Sequence, residues 1–136
     1  MSEAEWRAFL SEGTRTGKLA TTRKDGRPHV APVWFVLDGD GRIVLTTWAT
    51  TVKGRNLRRD PRAALAVDEP SPPYPSVVVE ATATISEDPA NLLFWATRIA
   101  ERYVGKEKAE AFGRRNGVPG ELLVRIAATA VNFHDI

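Results

Sequence analysis

The first twelve residues have the apolar spacing of an amphipathic helix. Trp6, Phe9 and Leu10 fall on one helical face. Ser2 is followed three positions later by a glutamate, which is the spacing of a capping box. The pattern predicts a helix that begins after Ser2 and ends at Gly13.

From Lys18 onward the pattern changes to short apolar runs of the kind that form β-strands. Asp-Gly dipeptides at 25–26 and within 38–41 separate these runs, and such dipeptides are typical of tight turns between antiparallel strands. The second run is apolar on both faces, so it belongs inside a barrel or at an interface between subunits. Three strands are predicted here: KLATTR at 18–23, PHVAPVWFVL at 28–37 and RIVLTT at 42–47.

The rest of the chain alternates helices and strands, with a proline-rich loop at 69–75. Pro61 ends the helix predicted at 51–60. Asp88-Pro89 has the composition of a helix start and opens the next helix. The predicted helices cover 51–60, a segment that begins at 88 and includes Tyr103, and 106–115. The predicted strands cover 62–68, 76–85 and 121–133. Six strands with helical excursions describe a mainly β, mostly antiparallel barrel.

Length and composition predict one folded domain over residues 1–136. The chain is 43% hydrophobic and 26% charged, which is ordinary globular composition. A domain of this size buries a real core, but a site for a large ligand then needs a second subunit. We therefore expect a homodimer.

The residue types exclude several kinds of chemistry. The sequence has no cysteine and two histidines, so disulfides, thiolate metal sites and cysteine nucleophiles are absent, and we expect no metal site. We find no leader peptide pattern and no apolar run near the ~18 residues of a membrane span. These features predict a cytoplasmic protein without a membrane span.

The polar segment TTWATTVKGRN, residues 46–56, is the strongest candidate for a binding site. It runs from a strand into the start of a helix, where hydroxyls, free N–H groups and Lys53 converge, as an anion or phosphate site requires. The same residues also suit a simpler role, because threonine is a good strand residue and helix cap. The pattern alone leaves both interpretations open.

Three segments together resemble one family. TTWATTVKGRNLRRDPRAAL at 46–65, KLATTRKDGRPHVAPVWFVLDGDGRIVLTT at 18–47 and SVVVEATATI at 76–85 are similar to the pyridoxamine 5′-phosphate oxidase-like proteins, in the same order. Ala81 stands where that family commonly has glycine. The resemblance implies a six-stranded antiparallel split β-barrel of the FMN-binding type. It also implies a homodimer that binds flavin, or the deazaflavin coenzyme F-420, in a groove at the subunit interface.

The resemblance also implies site residues. The ring system would lie along one stretch of the second strand, the ribityl phosphate would be held by the 46–56 segment, and one serine would reach in from the other subunit. The residues along the ring system would be Ala31, Pro32, Val33 and Trp34. Those that hold the phosphate would be Thr46, Thr47, Thr51, Lys53 and Asn56, and the serine of the other subunit would be Ser76.

Departures from the family pattern favour F-420 over FMN. An arginine common near position 31 and the first residue of an Arg-Lys pair at 52–53 are missing, although a dianionic phosphate usually has charge-assisted partners. The segment instead resembles the actinobacterial F-420-dependent branch. The nearby Arg55, Arg58 and Arg59 could meet the oligoglutamate tail of F-420, or simply face solvent.

The resulting prediction is an oxidoreductase that uses reduced F-420 as hydride donor to an unsaturated small-molecule substrate. No catalytic side chain is assigned: His29 is more typical of a packed strand residue and His134 of a surface residue. Trp48 and Tyr74 are candidates for pocket walls. The alternatives are an FMN-binding oxidase or reductase, a flavin or deazaflavin binding protein without turnover, and a nucleic-acid binder, which the net charge of +2 disfavours.

Overall fold

The computed structural model describes residues 1–134, which form one seven-stranded sheet and four α-helices. The elements in chain order are α1 Glu3–Ser11, β1 Gly17–Thr22, β2 Pro28–Val33, β3 Val36–Leu37, β4 Ile43–Trp48, α2 Val52–Arg59, β5 Arg62–Asp68, β6 Ser76–Ser86, α3 Pro89–Val104, α4 Lys106–Asn116 and β7 Glu121–His134.

The sheet is antiparallel throughout and curls into a half-barrel. Its strand order is β2-β1-β5-β6-β7-β4-β3. The two edge strands, β2 and β3, are joined by only two residues, so the sheet must curl until its edges come close. The mainly β, antiparallel split-barrel architecture expected from the sequence is therefore confirmed.

The number of strands differs from the six expected, because the predicted strand at 28–37 is two strands. Strand β2 pairs with β1 as far as Val33, and β3 pairs with β4 from Val36. Between them, the N–H of Phe35 donates to the hydroxyl of Tyr103, 3.2 Å away, and its carbonyl accepts from Arg102 Nη1 at 2.7 Å. Side chains of α3 thus replace the ladder partners of Phe35, and the strand ends without losing hydrogen bonds.

The helix starts follow the signals in the sequence. The side chains of Ser2, Thr51 and Asp88 each accept a hydrogen bond from a backbone N–H three residues later, at 3.1 Å. Each therefore satisfies one of the N–H groups that a helix start leaves unpaired. The predicted cap of α1 is confirmed, and α2 and α3 begin where the sequence predicted helix starts.

The core fills the concave face of the sheet and leaves one end of β4 beside a cleft. Phe9 and Leu10 of α1 pack with Leu45 and Leu65 in the main cluster. Val44 points to the opposite face and packs under α3 in a second cluster. Because β4 is covered on both faces, its last residues are held rigidly where they leave the core.

Candidate functional site

A cleft of about 380 Å³ lies where the β2–β3 junction, the end of β4, the start of α2 and the helix α3 meet. The structure brings seven of the ten residues expected at the cofactor site to its wall. They are Pro32, Val33, Trp34, Thr46, Thr47, Thr51 and Lys53. Segments separate in the sequence therefore converge on one cavity, whose size is within the usual range for small-molecule sites.

Two tryptophans, Trp34 and Trp48, line the cleft. The indole of Trp34 stacks on the ring of Tyr103, with Phe112 beside it at 6.3 Å between centroids. Trp48 is 47% exposed and packs against Gly120, where a Cβ atom would collide with the indole. Gly120 also has a φ of +99°, so two constraints favour glycine at this position.

The hydroxyls of Thr47 and Thr51 are occupied by the turn that leads into α2. Thr51 Oγ1 accepts from the N–H of Gly54 and lies 2.8 Å from the carbonyl of Trp48 and 2.9 Å from Thr47 Oγ1. When Thr51 donates to that carbonyl, Thr47 donates to Thr51, so both hydroxyl protons are used internally. The two threonines hold the turn, and the ammonium of Lys53 is left as the strongest donor at the cleft.

Lys53 has one charged neighbour in the cleft, Glu121, which the sequence did not identify. Over residues 1–134, Lys53 makes no ion pair within 4.0 Å. Glu121 is the first residue of β7 and pairs with Trp48 of β4. Burial raises the pKa of its carboxyl, while the charge of Lys53 and a hydrogen bond with Thr46 act to lower it. One carboxyl oxygen, Oε2, is buried without a hydrogen-bond partner.

Three of the expected site residues do not line the cleft. Ala31 lies on β2 opposite Leu19, and Ser76 begins β6. Asn56 is 3% exposed, and its amide donates to Thr21 Oγ1 and accepts from Arg59, each at 3.0 Å. In one chain, the side chain of Asn56 therefore ties α2 to β1.

The histidines and Tyr74 also lie apart from the cleft. His29 is half-buried on β2, and His134 is exposed at the end of β7. Tyr74 is 57% exposed in the loop before β6, with a φ of 62°. Trp48, by contrast, lines the cavity.

A second cavity, of about 680 Å³, lies beside the start of α2 and is strongly cationic. The β1–β2 hairpin and α2 supply its charges, and the acidic residue among them, Asp25, pairs with Arg27 at 2.8 Å. Val52 lines this cavity while Lys53 lines the first, so the start of α2 separates the two. The basic side chains are Arg23, Lys24, Arg27, Arg55 and Arg59.

Within residues 1–134, none of the helices is both long enough and apolar enough to cross a membrane.

Comparison with known proteins identifies the family of this chain. Residues 2–135 match the family model described as pyridoxamine 5′-phosphate oxidase. A conserved hypothetical protein of Mycobacterium tuberculosis is 34% identical, with a TM-score of 0.86 over 99% of this chain and 85% of that one. A protein described as an F420 reductase is 28% identical, with a TM-score of 0.73 over 92% and 94% of the two chains.

A likeness in fold alone extends to a FAD-binding protein of Mesorhizobium loti. It is 22% identical, with a TM-score of 0.69 over 98% of this chain and 92% of that one. The family model spans almost the whole sequence, and the M. tuberculosis protein exceeds 30% identity over nearly all of this chain. The chain therefore belongs to the pyridoxamine 5′-phosphate oxidase family.

Proposed function

We propose that this protein is an oxidoreductase that uses reduced coenzyme F-420 as hydride donor to an unsaturated small molecule. The observation that carries the proposal is the cleft, which is lined by Trp34, Trp48 and Lys53, a lysine without an ion pair in the part of the chain that the structure describes. The similarity of this chain to a protein described as an F420 reductase supports a flavin or deazaflavin as the ligand, and the deazaflavin in particular.

The side chains present fit such a cofactor. Flat rings bind well against aromatic faces, and the stacking of Trp34 on Tyr103 holds one such face in place. Lys53 supplies the charge for a phosphate at the start of α2, where the first N–H groups lack partners within the helix. When bound, the reduced deazaflavin supplies the hydride. The protein supplies position and an apolar surface that excludes water.

The proposal includes a homodimer, because a single chain leaves large apolar side chains of its sheet exposed. Val30 on the edge strand β2 is 66% exposed, and Phe133 on β7 is 41% exposed. Exposed apolar surface of this kind is typical of an interface between subunits. In the dimer, Ser76, and Tyr74 in the loop before it, would approach the cleft of the partner subunit.

The cationic cavity suits the oligoglutamate tail of F-420. Arg55 and Arg59 line it, and both are on α2, whose first turn carries Lys53. Arg58, the third arginine considered from the sequence, instead pairs with Glu87 at 2.8 Å. We therefore assign the tail to Arg55 and Arg59 and not to Arg58.

A turnover experiment separates this function from a carrier without activity. Purified protein is mixed with reduced F-420 and a panel of small molecules with conjugated double bonds, and oxidation of the cofactor is followed by absorbance. The proposal predicts oxidation at a rate proportional to enzyme concentration for at least one acceptor. Tight binding of F-420 without its oxidation by any acceptor would favour the carrier. Reduction of an acceptor by protein loaded with reduced FMN, and not by protein with reduced F-420, would favour the FMN-dependent alternative.

A further inference from the structure

Glu121 places a carboxyl group in the same cleft as Lys53. Of the residues that line this cleft in the described part of the chain, these two are the ones with ionisable side chains. The elements packed around Glu121 contribute the Thr46 hydroxyl from β4, the Lys53 ammonium from α2, the side chains of Ala96, Ile99 and Ala100 from α3, and the Asn116 amide at the end of α4. When Glu121 is ionised, the two charges cancel and the cleft has no net charge.

A cleft with this charge balance distinguishes phosphates by their charge. FMN carries a phosphomonoester, with a charge between about −1.5 and −2 at neutral pH, as for other phosphomonoesters. The phosphate of F-420 is a phosphodiester and carries one negative charge. Repulsion from a nearby carboxylate scales with the charge of the phosphate group itself, so ionised Glu121 opposes the phosphomonoester about twice as strongly as the phosphodiester. Like-charge contacts of this kind are a common means of excluding the wrong ligand.

We infer that Glu121 selects the cofactor by charge, disfavouring the phosphomonoester of FMN relative to the phosphodiester of F-420. The inference rests on the proposed function, since it takes the cleft as the site of the cofactor phosphate. It also gives a physical reason for the cofactor preference, which the sequence analysis based on missing arginines and on a resemblance to the F-420-dependent branch.

The environment of the carboxyl supports this role. Burial raises the pKa of Glu121, and its Oε2 atom has neither solvent nor a hydrogen-bond partner. Glu121 therefore ionises at a higher pH than an ordinary glutamate. As the pH rises and Glu121 becomes charged, FMN should bind more weakly. Without Glu121 the trend should reverse, because the phosphate of FMN gains its second charge near pH ~6 and Lys53 attracts it more strongly.

The test compares wild type with Glu121→Gln. Glu107→Gln serves as the control, because it removes the same charge from the exposed first turn of α4. Dissociation constants for FMN, riboflavin and F-420 are measured by tryptophan fluorescence between pH ~5 and ~8. At the upper pH we expect Glu121→Gln to bind FMN about tenfold more tightly and F-420 about threefold more tightly, with riboflavin unchanged. The control should match wild type.

The direction of the pH trend provides a second arm that needs no comparison between variants at one pH. FMN affinity should fall with rising pH in wild type and rise or stay level in Glu121→Gln. Equal changes for FMN and F-420, or parallel pH trends in the two proteins, would overturn the inference. If Glu121→Gln does not fold, the wild-type measurements decide the question: an affinity for FMN that rises with pH would overturn the inference. If F-420 does not bind, the proposed function fails, and the FMN measurements still decide the role of Glu121.

Discussion

The indole of Trp34 lies on the phenol ring of Tyr103, with centroids 4.9 Å apart and planes 5° from parallel. The same tyrosine accepts a hydrogen bond from the N–H of Phe35 and lies 2.8 Å from the carbonyl of Arg15. Burial raises the pKa of Tyr103, so the hydroxyl stays protonated and able to donate. One side chain of α3 therefore supports both the break between β2 and β3 and an aromatic wall of the cleft.

The two roles of Tyr103 can be separated by mutation. Tyr103→Phe keeps the ring and loses the hydroxyl, so we expect a loss of about 1–2 kcal/mol in the free energy of unfolding and little change in cofactor affinity. Tyr103→Ala also removes the support of Trp34 and should weaken cofactor binding about tenfold. Denaturant unfolding and fluorescence titration measure the two effects. Equal cofactor affinity in wild type and Tyr103→Ala would show that the stack does not organise the cleft.

Lys53 should be the main electrostatic contact for the cofactor phosphate. We expect Lys53→Ala to weaken F-420 binding at least about tenfold without loss of fold, because charge-assisted hydrogen bonds to phosphate are among the stronger polar contacts. Arg58→Ala is the matched control, since Arg58 is on the same helix and pairs with Glu87. Isothermal titration measures both affinities. An unchanged affinity in Lys53→Ala would contradict the phosphate assignment.

Thr51 has a structural role that does not depend on a ligand. Its hydroxyl caps α2 and bonds within the turn, so Thr51→Ala should cost about 1–2 kcal/mol in unfolding free energy. Thr51→Ser retains the hydroxyl and should restore most of that loss. Thermal and denaturant unfolding measure the unfolding free energy of both variants. If Thr51→Ala were as stable as wild type, the cap would have no energetic role.

Glu121 should also leave a signature in the pH dependence of stability. Its pKa is raised in the folded state, so between the unfolded and folded pKa values the folded protein binds more protons. The contribution of this group to stability therefore falls as the pH rises through that interval. Glu121→Gln should be more stable than wild type at neutral pH, and the difference should vanish below pH ~4, where glutamate is protonated in both states. A constant difference at all pH values would contradict this account.

Local signals in the sequence predicted most of the fold. Ser2, Thr51 and Asp88 have the residue types and spacing of helix caps, and each caps a helix. The Asp-Gly turns likewise mark the hairpins that follow β1 and precede β4. These features depend on residues a few positions apart, so periodicity and turn chemistry are sufficient to find them.

The features that the sequence did not reveal depend on distant residues. The strand break at Phe35 is satisfied by Arg102 and Tyr103, 67 and 68 positions away. Glu121 reaches the cleft because β7 pairs with β4, which no local pattern indicates. Asn56 belongs to the motif expected to hold phosphate, but in one chain it bonds to Thr21, a residue of β1.

The most direct test of the proposed function is a titration of one purified protein sample with F-420 and with FMN. Trp34 and Trp48 line the cleft, so ligand binding there should quench tryptophan fluorescence. We predict saturable quenching by both ligands, with F-420 bound at least about tenfold more tightly, and a preference for F-420 that is about threefold smaller in Glu121→Gln. A protein that retains FMN through purification and shows no affinity for F-420 would contradict the account.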